Sequence, residues 1–362
     1  MNEHNNFESK SGGKTILVAP LHWGLGHATR CIPIINALLK YGFNVLLGSD
    51  GAALLLLRKE FPQLEAIELP SYDITYATKG RNFKWQMMQN IPKIKKAISS
   101  EKKLIKRLFS ERKIDGIISD NRFGVRHKSV PSVFITHQLK VLSGNTSGLS
   151  SKIHQKLIKK FNECWVPDTD KPLNLSGKLG RLKSPTFIVR YIGPLSRMQK
   201  VNLDRKYDIL LLLSGPEPQR TLLEEKLLTI FKGQPKKVLL VRGVVEDQLI
   251  TQEFENITSV NYMETEALEK AINQSGLVIS RSGYTTIMDL AALEKMAFFI
   301  PTPGQYEQKY LAKRLSDQGI VPSCKQKEFT LDQLEKIPLY QGLKAISSPQ
   351  DITKLFRLFE GE

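Results

Sequence analysis

Short apolar runs alternate with longer amphipathic stretches along most of this chain, and the alternation stops once and then starts again. Such apolar runs are typical of strands in a parallel sheet, because the connecting helices cover both faces of the sheet. The first half of the chain has six of these runs and the second half has four. The predicted strands are 15–20, 44–49, 66–70, 114–120, 132–137 and 163–167, then 207–215, 236–243, 276–283 and 296–304.

This repeated pattern predicts an α/β protein with two Rossmann-like domains, each a doubly wound parallel sheet, that face each other across a cleft. Apolar positions with helical period predict helices from about 29 to 41 and from 94 to 112. A Gly-Pro turn and a polar, basic stretch place the domain boundary near residue 200. The predicted parts are a disordered tail (1–13), a first domain (14–198), a second domain (205–345) and a closing segment (346–362) with a helix that packs back on the first domain.

Several protein classes are excluded by composition. Residues 1–13 lack the apolar core of a secretion signal, and no run of 18 apolar residues follows, so we expect a cytoplasmic protein. The three cysteines, Cys31, Cys164 and Cys324, lie far apart without a Cys-x-x-Cys pair. This spacing argues against both a disulfide framework and a zinc site.

The positive charge is concentrated in one stretch of the first domain. The net charge is +17, and residues 79–128 hold 15 Lys and Arg against four Asp and Glu. Such a concentration fits an anionic partner, although a solvated helix face explains it equally well. An RNA-binding protein without catalysis is one alternative, but neither an aromatic stacking signature nor a helix-turn-helix pattern accompanies the charge.

An apolar cluster lies within the same stretch, ahead of Pro92. It is predicted to form a loop or a short helix, and seven Lys and Arg follow it between residues 93 and 107. An apolar tip surrounded by cations suits a protein that binds to the surface of an anionic membrane. For this protein the expected surface is the inner face of the membrane. A loop folded over an acceptor cleft is the alternative interpretation. The cluster contains Phe83, Trp85, Met87, Met88 and Ile91.

The first strand leads into the glycine-rich stretch APLHWGLGHATR, residues 19–30. Thr29 stands where a dinucleotide-binding fingerprint needs its third glycine, which argues against a nicotinamide cofactor. His27 follows the Gly24-Leu25-Gly26 turn, and a histidine of ordinary pKa near 6.5 suits a general base. We therefore interpret this stretch as an acceptor-side loop that carries the base, with phosphate binding or turn formation as the alternative role of His27.

The second domain has a sharper signal after its strand 276–283. Arg281, Ser282, Gly283, Tyr284 and Thr285 lead into a helix, where backbone N–H groups, hydroxyls and a glycine form a site suited to a diphosphate. A carboxylate six residues after the glycine can accept hydrogen bonds from a ribose diol, and an acid-amide pair further on can bind sugar hydroxyls. These three residues are Asp289, Glu307 and Gln308.

The segment 280–319 resembles the donor-binding region of glycosyltransferases with the GT-B fold that use nucleotide sugars. It is similar to the lipid II-forming N-acetylglucosaminyltransferases and to the glucosyl- and glucuronosyltransferase superfamily, in which a carboxylate binds the ribose and an acid or arginine followed by glutamine binds the sugar. GLGHATR resembles the acceptor-side loop of the same fold. The chain departs from these families in two places, with Asp289 where glutamate is usual and Lys309 where the cell-wall enzymes have a second glutamine.

A carboxylate is needed to orient the His27 ring, and Asp120 ends a strand on the same edge of the predicted sheet. The resemblance to the superfamily implies such a His/Asp dyad. His137, which also ends a strand, is a rival base or an acceptor contact, and His22 is a weaker candidate. In the second domain, Arg220 follows the strand 207–215 and is predicted to help neutralise the diphosphate.

Together these features predict an inverting hexosyltransferase that needs no metal and no cofactor. The donor is predicted to be a UDP-sugar, and the acceptor a small molecule or a lipid-linked molecule. A UDP-sugar hydrolase is the second alternative, because GHATRC (26–31) also resembles the catalytic loop of the hydrolase in pseudaminic acid synthesis.

Overall fold

The computed structural model describes residues 13–72, 83–244, 246, 248–346 and 352–360. For residues 83–91, 145, 345 and 346 only the backbone is described. The predicted tail, apart from Gly13, and the first two residues of the predicted closing helix lie outside these ranges.

The first domain is a seven-stranded sheet in which every neighbouring pair of strands is parallel. The strand order is β3-β2-β1-β4-β5-β6-β7, and helices connect most of the successive strands. The elements are β1 (Thr15–Pro20), α1 (Gly26–Tyr41), β2 (Asn44–Ser49), α2 (Gly51–Glu60), β3 (Ala66–Glu68), α3 (Phe83–Ser110), β4 (Gly116–Asp120), β5 (Ser132–Ile135), α4 (Ser147–Ile158), β6 (Glu163–Val166) and β7 (Val189–Tyr191).

The second domain is a six-stranded sheet of order β10-β11-β9-β8-β12-β13, parallel except for the edge strand β10. Short 3₁₀ turns follow its last helix, and α9 ends the described chain. The elements are β8 (Tyr207–Leu212), α5 (Gln219–Phe231), β9 (Val238–Val241), β10 (Thr251–Phe254), β11 (Ile257–Val260), α6 (Thr265–Asn273), β12 (Ser275–Ser280), α7 (Tyr284–Ala292), β13 (Ala297–Phe299), α8 (Tyr306–Asp317) and α9 (Arg357–Glu360).

These strands form where they do because both faces of each sheet are covered. Ile16, Leu17, Val18 and Ala19 of β1 are all fully buried, so an uninterrupted apolar run replaces the alternation of a half-exposed strand. The predicted α/β class with two parallel sheets is confirmed.

Several elements differ from the sequence-based predictions, among them the short edge strand β7, which was not predicted. Helix α1 starts at Gly26 rather than near residue 29, and α3 starts at Phe83 and continues through Pro92. A proline removes one backbone hydrogen bond and bends a helix, but neighbouring packing can maintain the helix through it. The β10–β11 hairpin was not predicted, because β10 is fully exposed with Phe254 as its single apolar residue, and β11 is only four residues long.

The closing segment lies on the first domain. The Phe356 ring packs edge-on against Phe43 at 6.0 Å, and the Phe359 ring packs edge-on against Trp165 at 6.3 Å. Lys14 fixes the end of the segment by donating hydrogen bonds to the Phe359 and Glu360 carbonyls, at 3.0 and 2.8 Å. The chain therefore returns to the first sheet after completing the second.

Each sheet has one position where successive connections leave in opposite directions. This topological switch point lies between β1 and β4 in the first sheet and between β8 and β12 in the second. Loops that leave neighbouring strands in opposite directions open a crevice at the carboxyl ends of those strands, which is where ligands bind in open α/β sheets. A ligand is therefore expected to bind at the loops that follow these four strands. No described helix is both long enough and apolar enough to cross a membrane.

Candidate active site between the two domains

The first crevice brings His27 and Asp120 together. His27 lies in the first turn of α1, and Asp120 is the last residue of β4. The Nδ1 atom of His27 lies 2.9 Å from the Oδ1 atom of Asp120, and the carboxylate is completely buried. This hydrogen bond can orient the ring and leave Nε2 available to a substrate.

The electrostatic surroundings favour a neutral imidazole beside an ionised carboxylate. Burial lowers the pKa of His27, Asp120 opposes that effect, and the cation of Arg30 lowers the pKa further. Burial would raise the pKa of Asp120, but the charge of Arg30 and the hydrogen bonds from His27 and Arg30 outweigh burial and hold that pKa far below its usual range. A neutral histidine next to an ionised acid is the resting state that a general base requires.

Arg30 was not predicted as a site residue, yet it lies at the centre of this cluster. Its side chain is 1% exposed, and its Nε and Nη2 atoms both donate to the Asp120 carboxylate. Its Nη1 atom lies 3.1 Å from the Nδ1 atom of His137. The spacing His27-x-x-Arg30 was the available signal, because residues three apart share one face of a helix.

The cluster continues into the second domain through His137. Its Nε2 atom lies 2.6 Å from the Oε1 atom of Glu307, while the second Glu307 oxygen accepts a hydrogen bond from Gln138. Burial opposes ionisation of Glu307, but His137, Arg30 and His27 outweigh it and lower its pKa. The predicted rival base and the predicted sugar-binding acid therefore form a direct contact between the domains.

Tyr284 and Thr285, both predicted donor-site residues, also link the domains. The Tyr284 ring stacks on His137 with centroids 4.1 Å apart, and its hydroxyl donates to the Pro167 carbonyl at 2.8 Å. The Thr285 hydroxyl donates to the Gly26 carbonyl at 3.0 Å. A Cβ atom on Gly26 would stand 3.0 Å from that hydroxyl, so a glycine allows this close approach. Gly24 has a φ of +83°, in the left-handed region that favours glycine.

The second crevice contains a buried arginine without a counter-ion. Arg281 follows β12, and its Nη atoms donate to the carbonyls of Ile300 and Gln219 and to the Gln326 side chain. Its Nε atom has no hydrogen-bond partner, and no carboxylate lies within ion-pair distance, among the residues that the structure describes. Burial lowers the pKa of Arg281 to about 10. An uncompensated buried cation attracts an anion.

Further polar groups lie in the loops after β12 and β13. Gly283 precedes the first turn of α7, and the buried Ser282 donates its hydroxyl to the Gln308 carbonyl at 2.8 Å. Sequence reasoning missed Thr302, whose buried hydroxyl has no partner within the described part of the chain. Its backbone N–H donates to the Gln308 side chain at 2.8 Å. A buried hydroxyl without a partner is energetically costly, and nothing in the sequence marks Thr302 as such a group.

Asp289 lies in α7 beneath the same crevice. One of its oxygens accepts a hydrogen bond from Ser196, in the segment that joins the two sheets, at 2.8 Å. Burial raises the pKa of Asp289 to about 6, although the Arg197 charge and the Ser196 hydrogen bond oppose this effect. The predicted ribose carboxylate is therefore buried and already partly paired.

Two predicted candidates are engaged elsewhere. Arg220 forms ion pairs with Glu217 and Glu224 of its own domain, so its charge is already neutralised there. His22 lies 3.5 Å from Asp50 and, in the described part of the chain, forms no hydrogen bond or ion pair with His27, Asp120 or Arg30. Across the described ranges, no group of three or more His, Cys, Asp or Glu side chains is arranged to hold a metal ion.

Comparison with known proteins agrees with this division into two domains. Residues 218–347 match the glycosyltransferase family 28 C-terminal domain. Two relatives bear the same name, UDP-N-acetylglucosamine--N-acetylmuramyl-(pentapeptide) pyrophosphoryl-undecaprenol N-acetylglucosamine transferase. The protein from Sulfurihydrogenibium sp. (strain YO3AOP1) is 26% identical over 154 residues, which cover 42% of this chain and 43% of the relative. The protein from Pasteurella multocida (strain Pm70) is 24% identical over 221 residues, which cover 59% and 58%. The chain thus spans about half the length of these relatives.

Solved structures match over nearly the whole chain. A UDP-glucosyltransferase from Polygonum tinctorium is 12% identical, covers 98% of this chain and 100% of its own, and has a TM-score of 0.64. MurG from Acinetobacter baumannii is 16% identical, covers 96% and 98%, and has a TM-score of 0.54. At such identities the likeness shows the fold, which is that of GT-B glycosyltransferases. The predicted resemblance is therefore confirmed, and the relatives support the prediction of a glycosyltransferase.

The pKa of Asp289 leads to a testable effect on stability. A folded-state pKa near 6 means that the folded protein keeps a proton which the unfolded chain releases from about pH 4. Ionised Asp289 therefore destabilises the fold above pH 6. Asp289→Asn is expected to increase the free energy of unfolding by about 2–3 kcal/mol at pH 7.5, with the gain vanishing as the pH falls toward 4.

Urea denaturation at several pH values measures this effect. The matched control is Asp317→Asn, which removes a largely exposed carboxylate of the same domain and should change stability little at any of these pH values. A destabilised Asp289→Asn variant at pH 7.5 would show that the ionised carboxylate contributes favourable contacts to the fold.

Proposed function

We propose that this chain is an inverting glycosyltransferase that moves a sugar from a UDP-sugar to an acceptor hydroxyl without a metal ion. The observation that carries the proposal is the apposition of two sites: the His27–Asp120 pair at one switch point faces the Ser282–Gly283 loop at the other. The Thr285 hydrogen bond to Gly26 holds the two loops together. Sugar transfer requires a base for the acceptor and stabilisation of the leaving diphosphate, and it requires both in one cleft.

The donor diphosphate is proposed to bind at the start of α7. Successive backbone N–H groups at a helix N-terminus, together with the helix dipole, favour an anion there. Arg281 supplies a buried positive charge that no described carboxylate neutralises, and Thr302 supplies a hydroxyl that lacks a partner. An anionic ligand would satisfy both groups, and these fixed charges could take the place of a divalent ion.

The nucleoside and the sugar are proposed to contact the acidic side chains nearby. Asp289 would accept hydrogen bonds from the ribose diol, in exchange for or beside the bond from Ser196. Glu307 would accept hydrogen bonds from sugar hydroxyls in place of those from His137 and Gln138, and Gln308 lies next to it on α8. Arg220 is omitted from the proposed site, because its charge is paired within its own domain.

The transfer step follows from this arrangement. His27 takes the proton from the acceptor hydroxyl at Nε2, and the hydroxyl oxygen forms a bond to the anomeric carbon of the donor. The bond from that carbon to the diphosphate oxygen breaks, and the electron pair leaves with UDP. Asp120 stabilises the imidazolium that forms, and attack opposite the leaving group inverts the anomeric configuration.

His27→Ala is expected to lower kcat by about 100-fold or more while UDP binds as before, because the variant removes the base and leaves the second domain intact. Turnover is measured as UDP release from a panel of UDP-sugars with candidate acceptors, and UDP affinity by isothermal titration. The matched control is His22→Ala, which removes another histidine at the end of the first strand and should leave kcat nearly unchanged.

Two outcomes would contradict this account. Loss of UDP binding in His27→Ala with normal turnover of bound donor would make His27 a binding residue. Rapid UDP release by the unmodified protein without any acceptor, with water as the only sugar acceptor found, would instead identify a UDP-sugar hydrolase.

The proposed acceptor is lipid-linked, as the names of the two relatives indicate for those proteins. The exposed face of α3 supports this proposal. Its only acidic residue, Glu101, is buried against Arg122 and Tyr72, so the exposed cations between residues 93 and 107 have no acid of their own helix beside them. The exposed cations are Lys93, Lys95, Lys96, Lys102, Lys103, Lys106 and Arg107.

The positive surface extends from α3 to α4. Burial and the nearby charges of Arg126, Lys102 and Lys156 lower the pKa of Lys160, so these cations are neighbours. On α4 the side chains of Leu149 and Ile153, one helical turn apart, are 64% and 54% exposed. The predicted apolar cluster at 83–91 lies outside the described side chains. The exposed pair on α4 offers a described apolar element next to the cations.

We expect the protein to co-sediment with anionic vesicles but not with neutral ones, and to be released by high salt, because each cation near the surface contributes about 1 kcal/mol. A variant with Lys95→Glu, Lys96→Glu, Leu149→Ser and Ile153→Ser should bind anionic vesicles much more weakly. The matched control makes the same changes on the second domain, with Lys236→Glu, Lys237→Glu, Leu222→Ser and Leu339→Ser.

Equal failure to bind both kinds of vesicle at low salt would contradict the lipid-linked acceptor and favour a small-molecule acceptor. Equal weakening by the two quadruple variants would show that net charge, and not this surface, governs binding.

A further inference from the structure

Arg30 contacts three ionisable side chains on different parts of the fold. From α1 it reaches Asp120 at the end of β4, His27 in its own helix and His137 after β5. Nε and Nη2 each donate to one oxygen of the Asp120 carboxylate, which is the bidentate arrangement that a guanidinium forms and an ammonium cannot. Arg30 therefore fixes the plane of the carboxylate that orients His27.

The contact with His137 defines the tautomer of that ring. Arginine has only donor groups, so the Nδ1 atom of His137, at 3.1 Å from Nη1, must accept the hydrogen bond. The ring proton is then on Nε2, where it is donated to Glu307 at 2.6 Å. A continuous chain of hydrogen bonds thus runs from Asp120 in the first domain through Arg30 and His137 to Glu307 in the second.

At His27 the same guanidinium competes with Asp120. The Nδ1 atom lies 2.9 Å from the Asp120 carboxylate and 2.8 Å from Nη2 of Arg30. A neutral ring can donate from Nδ1 to the carboxylate, which leaves a lone pair on Nε2, or accept at Nδ1 from the guanidinium, which places the proton on Nε2. Only the first tautomer can act as a base at Nε2. The position of Arg30 relative to Asp120 therefore affects which tautomer His27 adopts, and so whether Nε2 can act as a base.

We propose that Arg30 is a positioning residue for the transfer reaction: it holds Asp120 against His27 and joins this pair through His137 to Glu307 on the donor side. This inference rests on the proposed function, because it assigns Arg30 a role in the action of His27. When a donor sugar takes the place of His137 and Gln138 as the partner of Glu307, the change would then be transmitted to His27 through Arg30. The two domains would thereby be coupled in the same step that brings the donor into place.

The groups that face His27 determine the pH at which this histidine is protonated. They are Asp120 on β4, Arg30 on α1, Asn121 and His137 in the loops after β4 and β5, and Glu307 on α8. Burial lowers the pKa of His27, Asp120 raises it, and Arg30 and His137 lower it. Removal of the Arg30 charge with Asp120 retained should therefore make His27 easier to protonate.

The test compares Arg30→Gln with Arg30→Lys. In Arg30→Gln the titration midpoint of His27, followed by NMR of labelled histidine rings, should rise by roughly 0.5–1 pH unit. The value of kcat should fall roughly 10- to 100-fold, with the acidic limb of its pH profile moved to higher pH, while UDP binds as before. Arg30→Lys keeps the charge but cannot contact both Asp120 oxygens and His137 together, so kcat should fall with a smaller change in the midpoint.

The matched control is Arg122→Gln. Arg122 is also a fully buried arginine at the same sheet edge, with Glu101 and Asp50 as its partners, and none of its hydrogen bonds reaches His27. Its replacement should lower thermal stability and leave the midpoint of His27 where it is. If Arg30→Gln fails to fold, the kcat and the His27 titration midpoint of Arg30→Lys test the proposal.

A folded Arg30→Lys variant with unchanged kcat would overturn the proposal, as would Arg30→Gln with an unchanged His27 midpoint and only a lower melting temperature. The NMR titration needs neither a donor nor an acceptor. If no UDP-sugar is bound or turned over but the midpoint of His27 still moves, the proposed function fails while the link between Arg30 and His27 stands.

Discussion

The buried carboxylate of Asp120 is the constraint on which the site depends. A carboxylate that is completely removed from water is strongly disfavoured unless cations and donors surround it. Arg30 supplies the charge, and His27 and Asn121 supply further contacts. Loss of one member of such a group leaves another charge buried and unpaired, so these residues must be positioned together. The requirement ties the start of α1 to the end of β4, and these two elements form the first crevice.

The same chemistry extends across the cleft. Glu307 is ionised in a half-buried position, because His137 and Gln138 of the other domain contact its two oxygens. Arg197 of the linking segment pairs with Glu60 of the first domain at 3.1 Å, and Glu60 also accepts hydrogen bonds from Thr265 of the second domain. The domains are thus joined by charged groups as well as by the apolar core. Contacts of this kind can be exchanged for those of a polar ligand without exposing large apolar surfaces.

Much of the fold could be predicted from the sequence, because strands covered on both faces form uninterrupted apolar runs such as those of β1 and β8. The pairing of His27 with Asp120 could be expected, since both follow from strand ends at one edge of a sheet. Arg30 could not be recognised in the same way, since an arginine in an amphipathic helix is usually exposed. Its neighbours in space, Asp120 and His137, are about a hundred residues away in the sequence. Thr302 carried no signal at all, because an unpartnered hydroxyl becomes visible only when its surroundings are known.

The proposed function requires the crevice between β8 and β12 to bind the diphosphate of a UDP-sugar. A crystal structure of the protein with UDP examines this requirement. We expect the diphosphate at the start of α7, within hydrogen-bond distance of Ser282 or Gly283, with the ribose hydroxyls at Asp289. Bound UDP at any other place, or a crevice without UDP at a saturating concentration, would rule out this donor site.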